Sequence, residues 1–299
     1  MSATKSIINL ETSTINIKLK ALITLMKFRL SFLVAFSSAF GYLLASSGPI
    51  NWQMLLILSF SGFLLSGAST TINQIIERDL DKLMKRTADR PLPNEVVTVQ
   101  EAAFLSVLSA SLGLFLLAQF TNILTAVLAL ISLIAYSFIY TPLKRVGPVA
   151  VLVGAFPGAL PPLLGWVAAT GSIGIEALVL FGIQFIWQFP HFWAIAWVAD
   201  DDYKKAGFKL LPSGGGKDLK TAIQIMTYAL FLIPLGLLPL QFGITGTTSA
   251  FVVTICGTLF LFQTFRLMID CSRKSALQIM FGSFIYLPVV QIAFLLDKV

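Results

Sequence analysis

Three oxygen-bearing side chains recur four residues apart where a long apolar segment ends. Asn73, Glu77 and Asp81 are each about one helical turn apart, so on a helix they lie along one face. Carboxylate and amide oxygens are ligands that Mg²⁺ takes, commonly together with substrate phosphates. Asn73 lies inside the apolar segment, where polar groups are costly and usually functional. The pattern predicts a Mg²⁺ site. Ordinary interfacial charge is the alternative, and it is favoured for Arg78 and Asp79.

Basic residues follow this acidic face within a few positions. Arg90 directly precedes Pro91, which restricts its backbone, and a fixed guanidinium suits two-point contact with a phosphate. Arg86 is expected to be a second diphosphate ligand. The alternative is that these cations only orient membrane helices or bind anionic lipid. We favour that alternative for Lys82, and it stays open for Lys85.

A second basic group, Tyr140 with Lys144 and Arg145, ends a later apolar segment. A phenol and two cations at this depth suit contact with a diphosphate, although an aromatic belt with interfacial charges has the same composition. The proline-rich stretch 154–166 follows. Helix-breaking residues at membrane depth either line a cavity or allow close helix packing.

The single histidine of the chain lies in another apolar segment. His191 follows Pro190, with Trp187 and Gln188 about one turn away. A lone histidine is more often structural, but ionisable residues inside a membrane are functional by default. Neutral imidazole ligates haem iron, and aromatic rings can flank a planar macrocycle. We expect a haem site at Trp187, Gln188 and His191, with a structural histidine as the alternative.

Three consecutive carboxylates, Asp200, Asp201 and Asp202, follow the segment that carries the histidine. They suit a second metal site opposite the first. Which of the three points inward is not decided by a contiguous run.

The composition requires a membrane protein. The 299 residues are 57% hydrophobic and 12% charged, about half the charged fraction of a soluble domain. Nine segments approach the roughly 20 apolar residues that a spanning helix needs. The prediction is an all-α bundle of nine transmembrane helices, at 30–47, 53–76, 100–119, 122–140, 147–168, 173–199, 220–241, 247–268 and 276–296.

The distribution of charge sets the orientation of this bundle. All of the 21 Lys and Arg except Lys298 fall on one side, which predicts a cytoplasmic N-terminus and an outside C-terminus. The net charge of +7 therefore does not indicate nucleic acid. The two longest loops, 78–99 and 200–219, are both cytoplasmic and suggest two related halves with one shared site. We expect a polar cytoplasmic segment at 1–20, one transmembrane domain at 21–299, and no disulfide between Cys256 and Cys271.

The combined motifs resemble those of the protohaem IX farnesyltransferases, or haem O synthases, a branch of the UbiA-type intramembrane prenyltransferases. The resemblance covers nearly the whole chain from about Leu25. Two departures affect local geometry only: Lys27-Phe28-Arg29 replaces the usual Lys-Pro-Arg, and Val-Gly-Pro follows Arg145 where the family has Thr and Asn-Ile. The residues that carry the resemblance are Asn73-x3-Glu77-x-Asp79-x-Asp81-x3-Lys85-Arg86-Thr87-x2-Arg90-Pro91-Leu92, Tyr140-Thr-Pro-Leu-Lys144-Arg145, Pro161-Pro162-Leu-Leu-Gly165-Trp166, Trp187-Gln-Phe-Pro190-His191-Phe-Trp, Asp202-Tyr203 and Leu211-Pro212.

The resemblance implies transfer of a farnesyl group from farnesyl diphosphate to a vinyl group of haem B, giving haem O. It implies Mg²⁺ as cofactor, and it favours Asp201 and Asp202 over Asp200 at the second metal site. It also implies a bacterial cytoplasmic membrane, with a haem A synthase or a terminal oxidase as partner. The residues expected to neutralise the leaving diphosphate are Arg86, Arg90, Lys144 and Arg145.

Three other functions fit parts of the pattern. A quinone-precursor prenyltransferase shares the first acidic motif, but the Trp-Gln-x-Pro-His context of His191 argues against it. A secondary transporter has charges along a central path, whereas here nearly all lie at one face. A haem chaperone has no need of the acidic face at Asn73, Glu77 and Asp81.

Overall fold

The computed structural model describes residues 16–214 and 216–299, and within them nine helices are long and apolar enough to cross a membrane. The predicted all-α, multi-pass bundle is confirmed for this part of the chain. Residues 1–15 of the predicted polar segment lie outside the described residues, and 16–25 form a helix that leads into the first span. The spans are α1 (Phe28–Ala45), α2 (Trp52–Ile76), α3 (Val99–Phe120), α4 (Ile123–Leu143), α5 (Val149–Thr170), α6 (Ile175–Val198), α7 (Leu219–Gln241), α8 (Thr247–Asp270) and α9 (Arg273–Leu296).

Most span boundaries lie one to three residues from those expected, and two of these differences have a cause in the backbone. Helix α1 begins at Phe28 rather than 30, because Lys27 adopts a left-handed backbone (φ 46°) that separates α1 from the preceding helix. Helix α4 continues past 140, because its backbone widens into a π-helical turn at Ala135–Tyr140 and then closes at Thr141–Leu143. Such wide turns often occur at functional sites.

Polar caps begin several of these helices. The Asn51 side chain accepts the Met54 amide at 3.0 Å at the start of α2. Thr98 and Glu101 form a reciprocal capping box at the start of α3. Each such cap stabilises its helix by about 1 kcal/mol. The caps fix where the apolar segments start, so the loops between them are held in place.

Helices α5 and α6 pack against each other and connect the other helices of the bundle. Helix α5 packs against α1, α4 and α6, and α6 also packs against α7 and α9. At the α1–α5 crossing the two backbones touch: a side chain at Gly41 would collide with the Pro162 carbonyl, and one at Gly165 with the Ser38 carbonyl. Glycine is required at both positions because nothing larger than hydrogen fits.

A buried amide network ties four helices together at mid-bundle. Pro162 of α5 has no N–H, so the Gly158 carbonyl loses its usual helical partner. Gln184 of α6 donates to that carbonyl at 2.8 Å. The Gln184 oxygen in turn accepts from Ser37 of α1 (3.0 Å) and Gln291 of α9 (3.1 Å). The helix-breaking residues of α5 are thus accommodated by neighbouring helices.

Candidate active site

The acidic face lies at the end of α2 and is buried. Backbone helix geometry is interrupted at Glu77 (φ −93°, ψ 6°), and a short helix then runs from Arg78 to Asp81. The amide of Glu77 still bonds the Asn73 carbonyl (2.9 Å) and that of Asp81 bonds the Glu77 carbonyl (2.8 Å), which keeps the one-turn spacing. Asn73, Glu77 and Asp81 are 2%, 4% and 0% exposed. We call these three residues and their basic partners the charged end.

Asn73 is oriented by the wide turn of α4. Its side-chain N–H donates to the Thr141 hydroxyl at 3.1 Å, and that hydroxyl donates to the Tyr136 carbonyl at 2.9 Å. Because the Thr141 hydrogen is used on Tyr136, its oxygen is left to accept from Asn73. The Asn73 amide oxygen is therefore directed away from Thr141. Asn73 and Thr141 are both buried.

Glu77 is paired with Lys144, a residue that we expected from the sequence to bind the diphosphate. The Lys144 ammonium lies 2.9 Å from Oε1 and donates to Oε2 at 3.2 Å. It also lies 4.8 Å from the centre of the Tyr140 ring, so Tyr140 supports the cation from a second side. Burial by itself would lower the pKa of Lys144, but Glu77 together with Tyr136 and Tyr203 outweighs burial and leaves that pKa above its usual value.

Asp81 is paired with Arg90 and retains an unused oxygen. Arg90 donates to Asp81 Oδ2 at 2.7 Å, while Oδ1 is buried and has no hydrogen-bond partner among the described residues. Burial raises the pKa of the Asp81 carboxyl, and the Arg90 charge opposes that rise. The Thr87 hydroxyl donates to the Asp81 backbone carbonyl at 2.9 Å and holds the Arg90 loop in place. An unpartnered buried carboxylate oxygen fits a divalent cation ligand.

Arg86 connects this loop to the segment that follows α6. Its backbone N–H donates to Asp202 Oδ2 at 3.3 Å, and its guanidinium contacts the Tyr203 hydroxyl at 3.5 Å. Lys205 bonds the other Asp202 oxygen at 3.1 Å and lowers the pKa of that carboxyl. The two longest loops, 78–99 and 200–219, therefore meet at Arg86 and Asp202.

The other two consecutive carboxylates are not brought to the acidic face. Asp201 has 84% of its side chain exposed and bonds Lys217 at 3.0 Å. Asp200 is buried but lies 2.8 Å from Lys204. In residues 16–214 and 216–299, no three or more His, Cys, Asp and Glu side chains group closely enough to hold a metal ion. The expected second metal site at Asp201 and Asp202 stays a prediction.

Neighbouring residues Lys144 and Arg145 face different environments. Lys144 is turned inward to Glu77, whereas Arg145 is exposed. A cavity of about 330 Å³ lies between the ends of α2 and α4, so Arg145 and Glu77 contact the same space from opposite sides. Its lining consists of Ile76, Glu77, Leu80, Thr141, Pro142 and Arg145.

Lys27 is a site neighbour that the sequence reasoning did not include among the ligands. Burial is the largest cause that lowers its pKa to about 7, and the positive charges of Arg90 and Lys144 contribute to that lowering. Within the described residues no carboxylate lies at ion-pair distance from it. The basic Lys27-Phe28-Arg29 segment at the start of α1 is the signal in the sequence, and such charges equally well serve to orient a membrane helix.

The predicted haem residues share one face of α6, which we call the aromatic end. The Trp187 ring stacks on the His191 imidazole (centroids 4.4 Å apart, planes at 18°). His191 Nδ1 lies 2.8 Å from the Ser283 hydroxyl of α9. Gln188 is buried and donates to the Ala155 carbonyl of α5 at 3.1 Å, so its amide N–H is occupied within the protein.

Comparison with known proteins gives the family. The UbiA prenyltransferase family model matches residues 34–287, so the chain belongs to that family. The protoheme IX farnesyltransferase of Cytophaga hutchinsonii is 56% identical to it, covering 94% of this chain and 98% of that protein. The protein of the same name from Flavobacterium johnsoniae is 42% identical and covers 100% and 99% respectively. The resemblance read from the motifs is confirmed.

Solved structures show the same fold at lower sequence identity. A digeranylgeranylglyceryl phosphate synthase matches with a TM-score of 0.78 at 22% identity, covering 94% of this chain and 98% of that one. A UbiA homologue from Archaeoglobus fulgidus bound to DMAPP and Mg²⁺ matches with a TM-score of 0.66 at 17% identity, covering 93% and 98%. The multi-pass helical bundle is therefore the architecture of this family.

Proposed function

We propose that this protein transfers the farnesyl group of farnesyl diphosphate to a vinyl group of haem B, giving the hydroxyethylfarnesyl side chain of haem O. The observation that carries the proposal is the near full-length identity, 56% and 42%, with proteins named protoheme IX farnesyltransferase. The charged end supplies groups for a diphosphate, and the aromatic end supplies groups for a macrocycle.

Helix α6 links the two ends. His191 lies nine residues before Asp200, which corresponds to about 13 Å along a helix axis. Asp202 then reaches the Arg86 loop, so one helix and its extension touch both the macrocycle and diphosphate regions. Of the two carboxylates expected at a second metal, we assign Asp202 to hold this loop.

At the charged end, Glu77, Asp81 and the Asn73 oxygen would hold Mg²⁺. A bound Mg²⁺ neutralises charge on the diphosphate. The unpartnered oxygen of Asp81 and the freed oxygen of Asn73 fit this role. When the diphosphate binds, Lys144 and Arg90 turn from the carboxylates to phosphate oxygens, because those oxygens carry the greater negative charge. The full set of diphosphate ligands is Arg86, Arg90, Tyr140, Lys144 and Arg145.

The reaction then proceeds by loss of diphosphate from the allylic carbon. The C1–O bond of the farnesyl chain breaks and its electron pair leaves with the diphosphate, which the basic side chains stabilise. The vinyl group supplies the electron pair for the new C–C bond, and the cation left beside the porphyrin takes a water oxygen and releases a proton. The apolar bundle excludes water before coupling.

The same proposal covers membrane placement. With nearly all Lys and Arg on one side, the N-terminus and the diphosphate loops face the cytoplasm of a bacterial cell, and the C-terminus lies outside. Haem B and farnesyl diphosphate reach the site from the bilayer or its surface. The product passes to a haem A synthase or a terminal oxidase.

The test is mass spectrometry of haem extracted after the reconstituted protein is incubated with haem B, farnesyl diphosphate and Mg²⁺. We expect a haem heavier by one farnesyl group and one hydroxyl group, and no such product with EDTA. Unchanged haem from folded protein would refute the proposal. A parallel reaction with a quinone precursor would then show whether that acceptor is used instead.

A further inference from the structure

The His191 ring has its proton position fixed by a serine on another helix. Ser283 of α9 is 0% exposed, and its hydroxyl lies 2.6 Å from the Met280 carbonyl and 2.8 Å from His191 Nδ1. A carbonyl only accepts and a hydroxyl has one hydrogen, so that hydrogen is used on Met280. The Ser283 oxygen must then accept from Nδ1–H. His191 therefore carries its proton on Nδ1, and the lone pair is on Nε2.

Ser283 also fixes the ring that stacks on the histidine. The Trp187 indole N–H donates to the Ser283 backbone carbonyl at 3.2 Å. Phe284, the next residue, packs edge-on against the imidazole with centroids 5.2 Å apart. One position on α9 thus holds His191 through its side chain and Trp187 through its backbone. Neither ring is free to turn without breaking a contact to this position.

We propose that Ser283 is a positioning residue that presents His191 Nε2 to the haem iron. Nε2 has no hydrogen-bond partner in the described part of the chain, so its lone pair is available to a ligand. Metal-binding histidines generally donate their other N–H to an acceptor, which fixes the tautomer and raises ligand basicity. The inference rests on the proposed haem prenylation, because it takes haem B as the molecule at the aromatic end.

The test titrates the purified full-length protein in detergent with haem B. Binding is followed by absorption, and the iron–histidine stretch of the ferrous complex by resonance Raman. Ser283→Ala removes the acceptor, and we expect haem affinity about 10- to 100-fold lower and a stretch moved to lower frequency. Ser283→Thr keeps the hydroxyl and should restore most of the haem affinity and most of the stretching frequency. Ser283→Cys has a weak acceptor and should fall between them.

Ser106→Ala is the matched control. Ser106 is also a buried serine whose hydroxyl donates to the carbonyl three residues earlier, but it lies on α3. We expect it to bind haem like the unaltered protein. If all three Ser283 variants keep the unaltered affinity and stretch while His191→Ala loses them, the positioning role is refuted.

Failure of the proposed function gives a different result. If the unaltered protein makes no farnesylated haem but the stretch still moves in Ser283→Ala, the reaction is wrong and the positioning role stands. If His191→Ala leaves the haem spectrum unchanged, His191 is not the ligand, and the inference about Ser283 fails whatever the product assay shows.

Discussion

The charged end and the aromatic end prepare for their substrates in opposite ways. At the charged end both carboxylates, Glu77 and Asp81, are already ion-paired with Lys144 and Arg90. At the aromatic end a neutral ring is held in place while one nitrogen of His191 is left without a partner. Under the proposed function, the first end has to exchange partners when its substrate binds, whereas the second needs only to receive its substrate.

This difference follows from the cost of burying charge. Removing one partner of a buried ion pair typically costs about 3–5 kcal/mol, so each ion pair stabilises the carboxylate that it neutralises. A neutral imidazole has no such cost. Both ends nevertheless share one arrangement: a hydroxyl donates to a carbonyl of its own helix and accepts an N–H from the side chain that we propose as a ligand. Thr141 does so for Asn73, and Ser283 does so for His191.

The largest expected effect is at Glu77. Glu77→Gln keeps the shape but removes the charge that would hold Mg²⁺, so we expect the rate of haem farnesylation to fall on the order of 10³-fold. Haem B binding, measured by absorption, should be unchanged. Asp79→Asn is the matched control, because Asp79 is in the same segment but has 74% of its side chain exposed. Loss of haem binding in Glu77→Gln would show that the two ends are not independent.

His191→Ala should impair haem binding and leave the charged end unaffected, the reverse of Glu77→Gln. We expect haem B affinity to fall by about 100-fold, since the proposed iron ligand is lost. Binding of Mg²⁺ and inorganic pyrophosphate, measured by calorimetry, should be retained. An unchanged haem affinity would leave His191 as a structural residue and break the comparison at its aromatic end.

Thr141→Val tests whether the hydroxyl arrangement also operates at the charged end. The substitution keeps the shape but removes the contact to Asn73, so the Mg²⁺ concentration for half-maximal activity should rise about tenfold. Thr141→Ser should restore it, and activity at saturating Mg²⁺ should change little. If Thr141→Val and the unaltered protein have the same Mg²⁺ dependence, the Thr141 hydroxyl does not position Asn73, and only Ser283 would have such a role.

The smallest expected effect is a pH dependence from Lys27. Because burial and the nearby cations lower its pKa to about 7, Lys27 is charged below pH 7 and neutral above it. A diphosphate favours the charged form, so pyrophosphate affinity should fall as pH rises through 7, by less than about tenfold between pH 7 and 8. In Lys27→Arg the guanidinium stays charged, and this part of the pH dependence should disappear. An equal slope in both proteins would place Lys27 outside the site.

Much of the fold was predictable because its signals are local. A span of about 20 apolar residues can be read from the sequence, and the caps at Asn51 and Thr98 mark where spans begin. Asn73 was identified because a polar residue inside an apolar span is conspicuous. The end of α4 was less predictable, since a π-helical turn has no strong sequence signal.

The remaining parts of the site depend on contacts between distant residues. Ser283 lies 92 positions from His191, and no local pattern relates them. The direction of Asp201 depends on how the helix restarts after Ala199, where the backbone leaves helical geometry (φ −98°, ψ 7°). The pairing of Lys144 with Glu77 likewise joins the ends of two spans. Residue types indicated the chemistry, but only the packing determines which side chains meet.

The glycine contacts between α1 and α5 have a consequence for motion. Because the backbones touch at Gly41 and at Gly165, sliding or separating these helices would first require their main chains to lose contact. We therefore expect α1 and α5 to move together as one rigid body. Amide hydrogen exchange in these two helices should accordingly be among the slowest in the protein.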